Sequence, residues 1–231
     1  MKSPVPPYAE LACATNFSFL RGASPAVDLV FASLLLGYRG LGIADRNTLA
    51  GVVRAWSALR DLREGGILPP IRLREGSGPG EFRFETRTIP SAPEQPTPDE
   101  AGENALRTLL KARAENFRLA TGARLAFEDG TPDIVAYPAD RHGWSALCRL
   151  LTEGNRRAPK GACALAIEDL LRHARHLLLV VMPGRERGAL PALLARLQEA
   201  APEAVWLGAT MPRRGDDRRR LAELMAIGKT A

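Results

Sequence analysis

The apolar positions of this chain form short continuous runs set between stretches with helical spacing. Residues 41–44 and 177–182 are such runs, the mark of strands buried on both faces. Residues 8–14, small and apolar except for Glu10, predict another inner strand, followed by a loop at 15–23 carrying two aromatics. Val27, Val30, Phe31, Leu34 and Leu35 recur at helical spacing after Ser24 and Pro25, with Asp28 in the first turn and Gly37 past the end. That combination predicts a helix capped by Ser24.

The stretch 38–56 reads as strand, polar turn, helix. Asp45, Arg46 and Asn47 end the apolar run, and Thr48 is placed to cap a helix whose apolar face is Leu49, Val52, Val53 and Trp56. The helix extends to about residue 64 and stops at Gly65 and Gly66. In barrels of alternating strands and helices, polar residues at the C-terminal ends of strands carry the chemistry. Asp45 and Arg46 are therefore the first candidates. The alternative is that Asp45 pairs with a neighbouring arginine or caps the turn.

Residues 69–98 are rich in proline, glycine and acids. Such composition buries too little apolar surface to order itself, so 74–104 is expected to be a disordered insertion, with Phe82 and Phe84 on a small hairpin edge. The domain proper is then 1–73 plus 105–231. Leu106, Leu109, Leu110 and Phe117 mark a helix over 105–118, and residues 121–127 and 133–137 read as strands joined by the turn Glu128-Asp129-Gly130. A helix over 141–151 turns Trp144, Leu147, Leu150 and Leu151 inward. A basic loop at 155–161, a short helix at 167–173, a helix at 190–200, a strand at 204–207 and a last helix from Asp216 complete the chain. The β-α-β-α order argues for an α/β fold built on a parallel sheet or barrel.

With 231 residues, 45% hydrophobic and 25% charged, the chain can bury one sizeable core and is neither disordered nor collagenous. The formal net charge is +6, carried almost wholly by arginine. Arginine forks suit phosphate and carboxylate partners. Arg213, Arg214, Arg218, Arg219 and Arg220 form one basic cluster, and Arg156, Arg157 and Lys160 a second. Either can meet nucleic-acid phosphates; the alternative is a solvated face partly neutralised by Asp216, Asp217 and Glu223. Cys13, Cys148 and Cys163 are widely spaced and read as reduced thiols of a cytoplasmic protein. No signal peptide or membrane span is expected. His142, His173 and His176 are the only histidines, too few for a multi-metal hydrolase, and His173 with His176 suits a helix C-terminus. Phosphate-loop, dinucleotide, zinc-histidine and nucleophile-elbow motifs are missing.

Several segments resemble one family. They are residues 8–11, Tyr-Ala-Glu-Leu; residues 16–24, Asn-Phe-Ser-Phe-Leu-Arg-Gly-Ala-Ser; and residues 41–55, beginning Leu-Gly-Ile-Ala-Asp-Arg-Asn-Thr. Residues 121–125, 128–133, 147–152 and 206–210 continue the pattern. The chain is similar in these to the error-prone DNA polymerases, the translesion branch of the bacterial C-family related to the replicative polymerase III alpha subunit. The resemblance covers most of the chain outside the insertion and falls on that family's N-terminal polymerase-and-histidinol-phosphatase (PHP) domain. It implies a distorted barrel of about seven strands and helices, incomplete here at the C-terminus.

Metal-competent members of the family carry a histidine-rich first strand, an Asp-His pair after the second and a later Gly-x-Glu. Here those positions are Glu10, Ala12 and Ala14; Asp45 and Arg46; and Gly122, Ala123 and Arg124. Arginine has no lone pair for a metal and brings positive charge to a site that must hold cations. The resemblance therefore implies a vestigial site at Glu10, Asp45, Arg46 and Arg124, with no catalytic residue, no metal or cofactor in this chain, and Asp45 held by Arg46 or Arg124. The full-length family enzyme places magnesium in a palm outside these residues. Its partners are the rest of the polymerase chain, DNA and deoxynucleotides, the sliding clamp and mutagenesis accessory proteins. The rival readings are a metal-dependent phosphoesterase or pyrophosphatase and a non-enzymatic interaction module.

Overall fold

The computed structural model describes residues 7–65, 71–75, 82–86, 100–184, 186–210, 213 and 215–230. Fifteen elements follow in the order β1 (Ala9–Cys13), α1 (Ala26–Leu35), β2 (Gly40–Arg46), α2 (Ala50–Arg63), β3 (Ile71–Glu75), β4 (Phe82–Thr86), α3 (Glu100–Glu115), β5 (Arg118–Leu125), β6 (Ile134–Pro138), α4 (Arg141–Arg157), α5 (Ile167–His173), β7 (Leu177–Val181), α6 (Leu190–Ala200), β8 (Val205–Leu207) and α7 (Asp217–Thr230). Six strands form one sheet in the order β1-β2-β5-β6-β7-β8. β1, β2 and β5 run parallel, β6 runs antiparallel to both its neighbours, and β7 and β8 are parallel. The sheet curls into half a barrel, an α/β architecture.

Side chains alternate across each strand, and the alternation sorts the core into three groups. Leu41 and Ile43 of β2 pack with Val30, Leu34, Val52, Ala55, Leu59, Leu110 and Phe117 beneath α1, α2 and α3. Ala123 and Leu125 of β5, Ile134 and Ala136 of β6, and Leu177, Leu179 and Val181 of β7 pack beneath α4, α5, α6 and α7. Each fully buried Leu or Ile stabilises the fold by roughly 1.5–3 kcal/mol. The opposite face carries a third, small group, Ala44, Val135 and Tyr137, with Ala120, Val180 and Met182 against it. This inner face bears no helix of either large group.

Tyr137 ties that face together. Its hydroxyl donates to the Leu11 carbonyl at 2.5 Å, so a β6 side chain reaches past β5 and β2 to the edge strand. The ring passes over Gly42, where an added Cβ would collide with the hydroxyl. Burial pushes the Tyr137 hydroxyl's pKa up, which keeps it a donor.

Several expectations are corrected. The inward face of α2 is Gly51, Val52, Ala55, Leu59 and Leu62; Val53 is 68% exposed and Trp56 51%. Small residues line the contact because α2 lies close over the end of β2. The N-cap of α1 is Pro25, with no side-chain cap from Ser24. α4 continues to Arg157, so Asn155, Arg156 and Arg157, expected in a loop, form its last turn. The hairpin edge expected at Phe82 and Phe84 is present as β4, paired antiparallel with β3 with Leu73 opposite Phe84, whereas α3 begins at Glu100, before the expected start at 105. The rest of the expected insertion, 76–81 and 87–99, lies outside the described residues.

Candidate functional site

The candidate site forms at the C-terminal ends of β2 and β5. The two strands pair in parallel with Asp45 beside Ala123 and Arg46 beside Arg124. Consecutive residues point to opposite faces, so Asp45 and Arg46 cannot share a site. Asp45 falls on the helix-covered side with Ile43. Arg46 falls on the inner side with Ala44.

Asp45 is fully buried and holds the loop after β1. Its Oδ1 accepts from the Thr15 backbone N at 2.7 Å and from Ser18 Oγ at 2.6 Å. Its Oδ2 accepts from Thr15 Oγ1 at 2.8 Å. Ser18 Oγ in turn accepts from the Arg46 backbone N at 2.9 Å. The expected pairing of Asp45 with Arg46 or Arg124 is thus corrected: neutral donors 27 and 30 residues upstream take its oxygens, because strand alternation carries both guanidinium groups to the other face. Gly51 packs on this carboxylate, and a Cβ there would collide with Asp45 Oδ2.

On the inner side, both arginines turn to Asp133, which immediately precedes β6. Arg124 Nε donates to Asp133 Oδ2 at 2.8 Å. Arg46 lies 4.0 Å from Asp133 Oδ1, too far for a hydrogen bond. Asn47 fastens the strand ends. It adopts φ +50, a left-handed conformation in which Asn is enriched. Its backbone N donates to the Arg124 carbonyl at 3.0 Å, its Nδ2 to the Ala126 carbonyl at 3.1 Å, and its Oδ1 accepts from the Ala126 N at 2.8 Å.

Glu10 does not join this group. It accepts from the Tyr8 hydroxyl at 2.8 Å and from the Ala12 N at 2.8 Å, beside Leu41 at the other end of β2. Nearby Cys13 is a free thiol whose pKa is pushed up to about 11 by burial and by the Glu10 and Asp45 carboxylates.

The acids of this region are already engaged. Asp45 has its oxygens engaged by three donors on the far face, and Asp133 is the counter-ion of two cations. Ala12 and Ala14 offer nothing, and among the described residues no three His, Cys, Asp or Glu side chains converge as metal ligands.

The basic clusters have mixed fates. Arg157 donates to Asp169 at 2.5 and 2.9 Å, and Arg219 Nε donates to Glu223 at 3.1 Å. Arg156 and Lys160 remain exposed at the end of α4, as do Arg213 and Arg218 near the start of α7. Arg214 lies outside the described residues. The histidines meet carboxylates: His173 Nε2 lies 3.0 Å from Glu153, and His176 Nδ1 lies 2.8 Å from Asp140. Among the described residues no helix is long and apolar enough to cross a membrane.

Thr15, Ser18, Asn47 and Asp133 were not singled out from the sequence. Hydroxyls carry no charge to look for, but Asp133 was findable: it sits across the β5–β6 turn from Arg124, at a position of the same phase.

No family model matches the chain. One solved structure, from Bifidobacterium adolescentis and described as a metal-dependent phosphoesterase, aligns with 98% of this chain and 86% of its own at TM-score 0.49 and 14% identity, a likeness too slight to carry an argument. Curated relatives are much nearer. An error-prone DNA polymerase of Rhodopseudomonas palustris is 40% identical over 229 residues, one of Brucella abortus 41% over 227 and one of Sinorhizobium medicae 37% over 227. These matches take in 97–98% of this chain but 16% of each relative. The resemblance carried by residues 8–24 and 41–55 therefore extends over nearly the whole chain, which is related to the error-prone DNA polymerases through a segment 16% of their length.

Proposed function

We propose that this chain is the metal-free, structural PHP region at the N-terminus of an error-prone DNA polymerase. The observation that carries the reading is the exchange of ligands for an ion network: Arg46 and Arg124 face Asp133 where a metal-dependent hydrolase needs lone pairs. The parent enzyme would be a cytoplasmic nucleotidyltransferase of DNA repair, extending primers past damaged template positions. Its substrates would be DNA and deoxynucleotides, its magnesium would be held by palm carboxylates outside this chain, and its partners would include a sliding clamp and mutagenesis accessory proteins. This chain would supply a rigid support and no reacting group.

The test has two arms. The chain is dialysed against zinc or manganese and its metal measured; only trace metal is expected, and one tightly held ion per chain would support the phosphoesterase reading instead. In the full-length polymerase, Asp45→Asn, on the face away from both arginines, should leave primer extension close to the parent. Its abolition with folding intact would give this site a catalytic part and overturn the proposal.

A further inference from the structure

The register of the sheet aligns five residues from five neighbouring strands in one transverse row. Arg46 pairs with Arg124, Arg124 with Val135, Val135 with Val180, and Val180 with Trp206. All lie on the inner face, the side of Ala44, Tyr137 and Met182. Val135 is buried beneath its neighbours and Val180 is half-buried, so long side chains stand at both ends of a short apolar floor. At one end are the two arginines. At the other, three strand spacings or roughly 14 Å away, Trp206 leaves 49% of its surface exposed.

The arginine end is under-neutralised. Among the described residues the two guanidinium groups share one carboxylate, and Asp45, next to Arg46 in sequence, is sequestered on the opposite face. The Arg46 side chain is 41% exposed and meets no hydrogen-bond acceptor among the described residues. It is not loosely placed, because Asn47 clamps the end of its strand to 124–126 in a left-handed backbone conformation that three hydrogen bonds maintain. A strand end fixed by three hydrogen bonds beside a fork with no hydrogen-bond acceptor among the described residues is the arrangement of a pre-organised site. Two forks side by side suit the oxygens of a phosphate group. The chemistry at the other end selects among phosphate ligands: an exposed indole offers a stacking surface to a base, and the apolar floor offers nothing to a free anion.

We propose that the inner face of the sheet binds single-stranded nucleic acid, with Arg46 and Arg124 on a backbone phosphate and Trp206 stacked on a base. Asp133 then acts as an internal competitor that the phosphate displaces from Arg46. This surface shares with the proposed function only the loss of metal, and nucleic-acid binding and metal content are measured separately, so either can fail alone.

The test is a fluorescence-anisotropy titration of the chain with a labelled oligodeoxythymidine of about ten nucleotides without terminal phosphates, at low salt. Saturable binding is expected. Arg46→Gln should weaken it about tenfold, the loss of one charge-assisted contact, and lower the salt slope by about 0.7. Trp206→Ala should weaken it about tenfold through lost stacking. Asp133→Asn should tighten binding, although it removes a salt bridge, because the competing carboxylate becomes neutral. Arg54→Gln, on the helix-covered side, should change nothing. Among the described residues Arg46 makes no hydrogen bond through its side chain, so its variant should keep the circular dichroism of the parent. Inorganic phosphate alone supplies the second arm: phosphate bound at the arginines without oligonucleotide binding would overturn the assignment. So would weaker binding by Asp133→Asn, no effect of Trp206→Ala, or equal weakening by Arg54→Gln and Arg46→Gln, which would mark diffuse attraction.

Discussion

Asp45 and Arg46 are neighbours on β2 and serve opposite faces of the sheet. The aspartate accepts from Thr15 and Ser18 under α2, and the arginine turns to Asp133 on the inner side. This division makes Asp45 the pin of the 15–22 loop, a role independent of the arginines. Asp45→Asn keeps the volume but sets an amide NH2 against a donor and removes the charge that strengthens three hydrogen bonds. A buried bond to a charged group contributes about 1.5–3 kcal/mol, so the variant should lose about 3 kcal/mol in urea unfolding. Arg124→Gln should cost less, because its pair with Asp133 is partly wet. Equal losses would mean that the two residues act as one network after all.

Tyr137 makes a second long-range tie. Tyr137→Phe removes its bond to the Leu11 carbonyl and should cost about 1 kcal/mol. The loss should be concentrated at the edge, so hydrogen exchange at β1 amides should quicken more than at β6. Gly42→Ala pushes a methyl group against the same hydroxyl and should cost about 1–3 kcal/mol through overpacking. Uniform exchange across the sheet in Tyr137→Phe would deny the bond its local role.

What the sequence made legible follows from what its signals measure. The runs at 41–44 and 177–182 are strands because burial on both faces leaves no polar phase, and the turn at 128–130 announced the β5–β6 hairpin. The face of α2 was misread because Gly51 and Ala55 carry little hydrophobic signal, although Gly51 fits against Asp45 and Thr15 and Ala55 is fully buried. Strand register, which brings Arg46 beside Arg124 and both to Asp133, is a tertiary property that spacing along the chain does not encode.

The corrected α2 face gives a direct comparison. Trp56 lies over the Arg60 guanidinium at 5.1 Å on the solvent side, whereas Leu59 is buried in the core that α1, α2 and α3 share with β2. Trp56→Ala should change stability by less than about 1 kcal/mol, and Leu59→Ala should lose about 2–5 kcal/mol. Thermal unfolding of the two variants checks it; the reverse order would restore the face read from hydrophobicity alone.

Asp169 supplies the acid dependence. Its carboxylate, nearly buried, accepts from Arg157 at 2.5 and 2.9 Å, from the Ala166 N at 3.0 Å and from Arg172 at 2.6 Å. The Arg157 bonds foremost, then the Ala166 amide and Arg172, hold its pKa well below the usual carboxylate range, against the opposing effect of burial. A folded pKa below the unfolded one means that the ionised form stabilises the native state. That contribution is fully present above the unfolded value of about 4 and is lost as pH falls through the folded one. Asp169→Asn should therefore lower the urea midpoint at pH 7, leaving the last turn of α4 without its tie to α5. The gap between variant and parent should hold down to about pH 4 and then narrow on further acidification, as the parent's folded state loses its advantage. Urea unfolding of both proteins from pH 7 to pH 2 is the measurement. A gap that stays constant through the acid limb would show that the Asp169 carboxylate is not held ionised by Arg157 and Arg172, and that its contribution is one of packing alone.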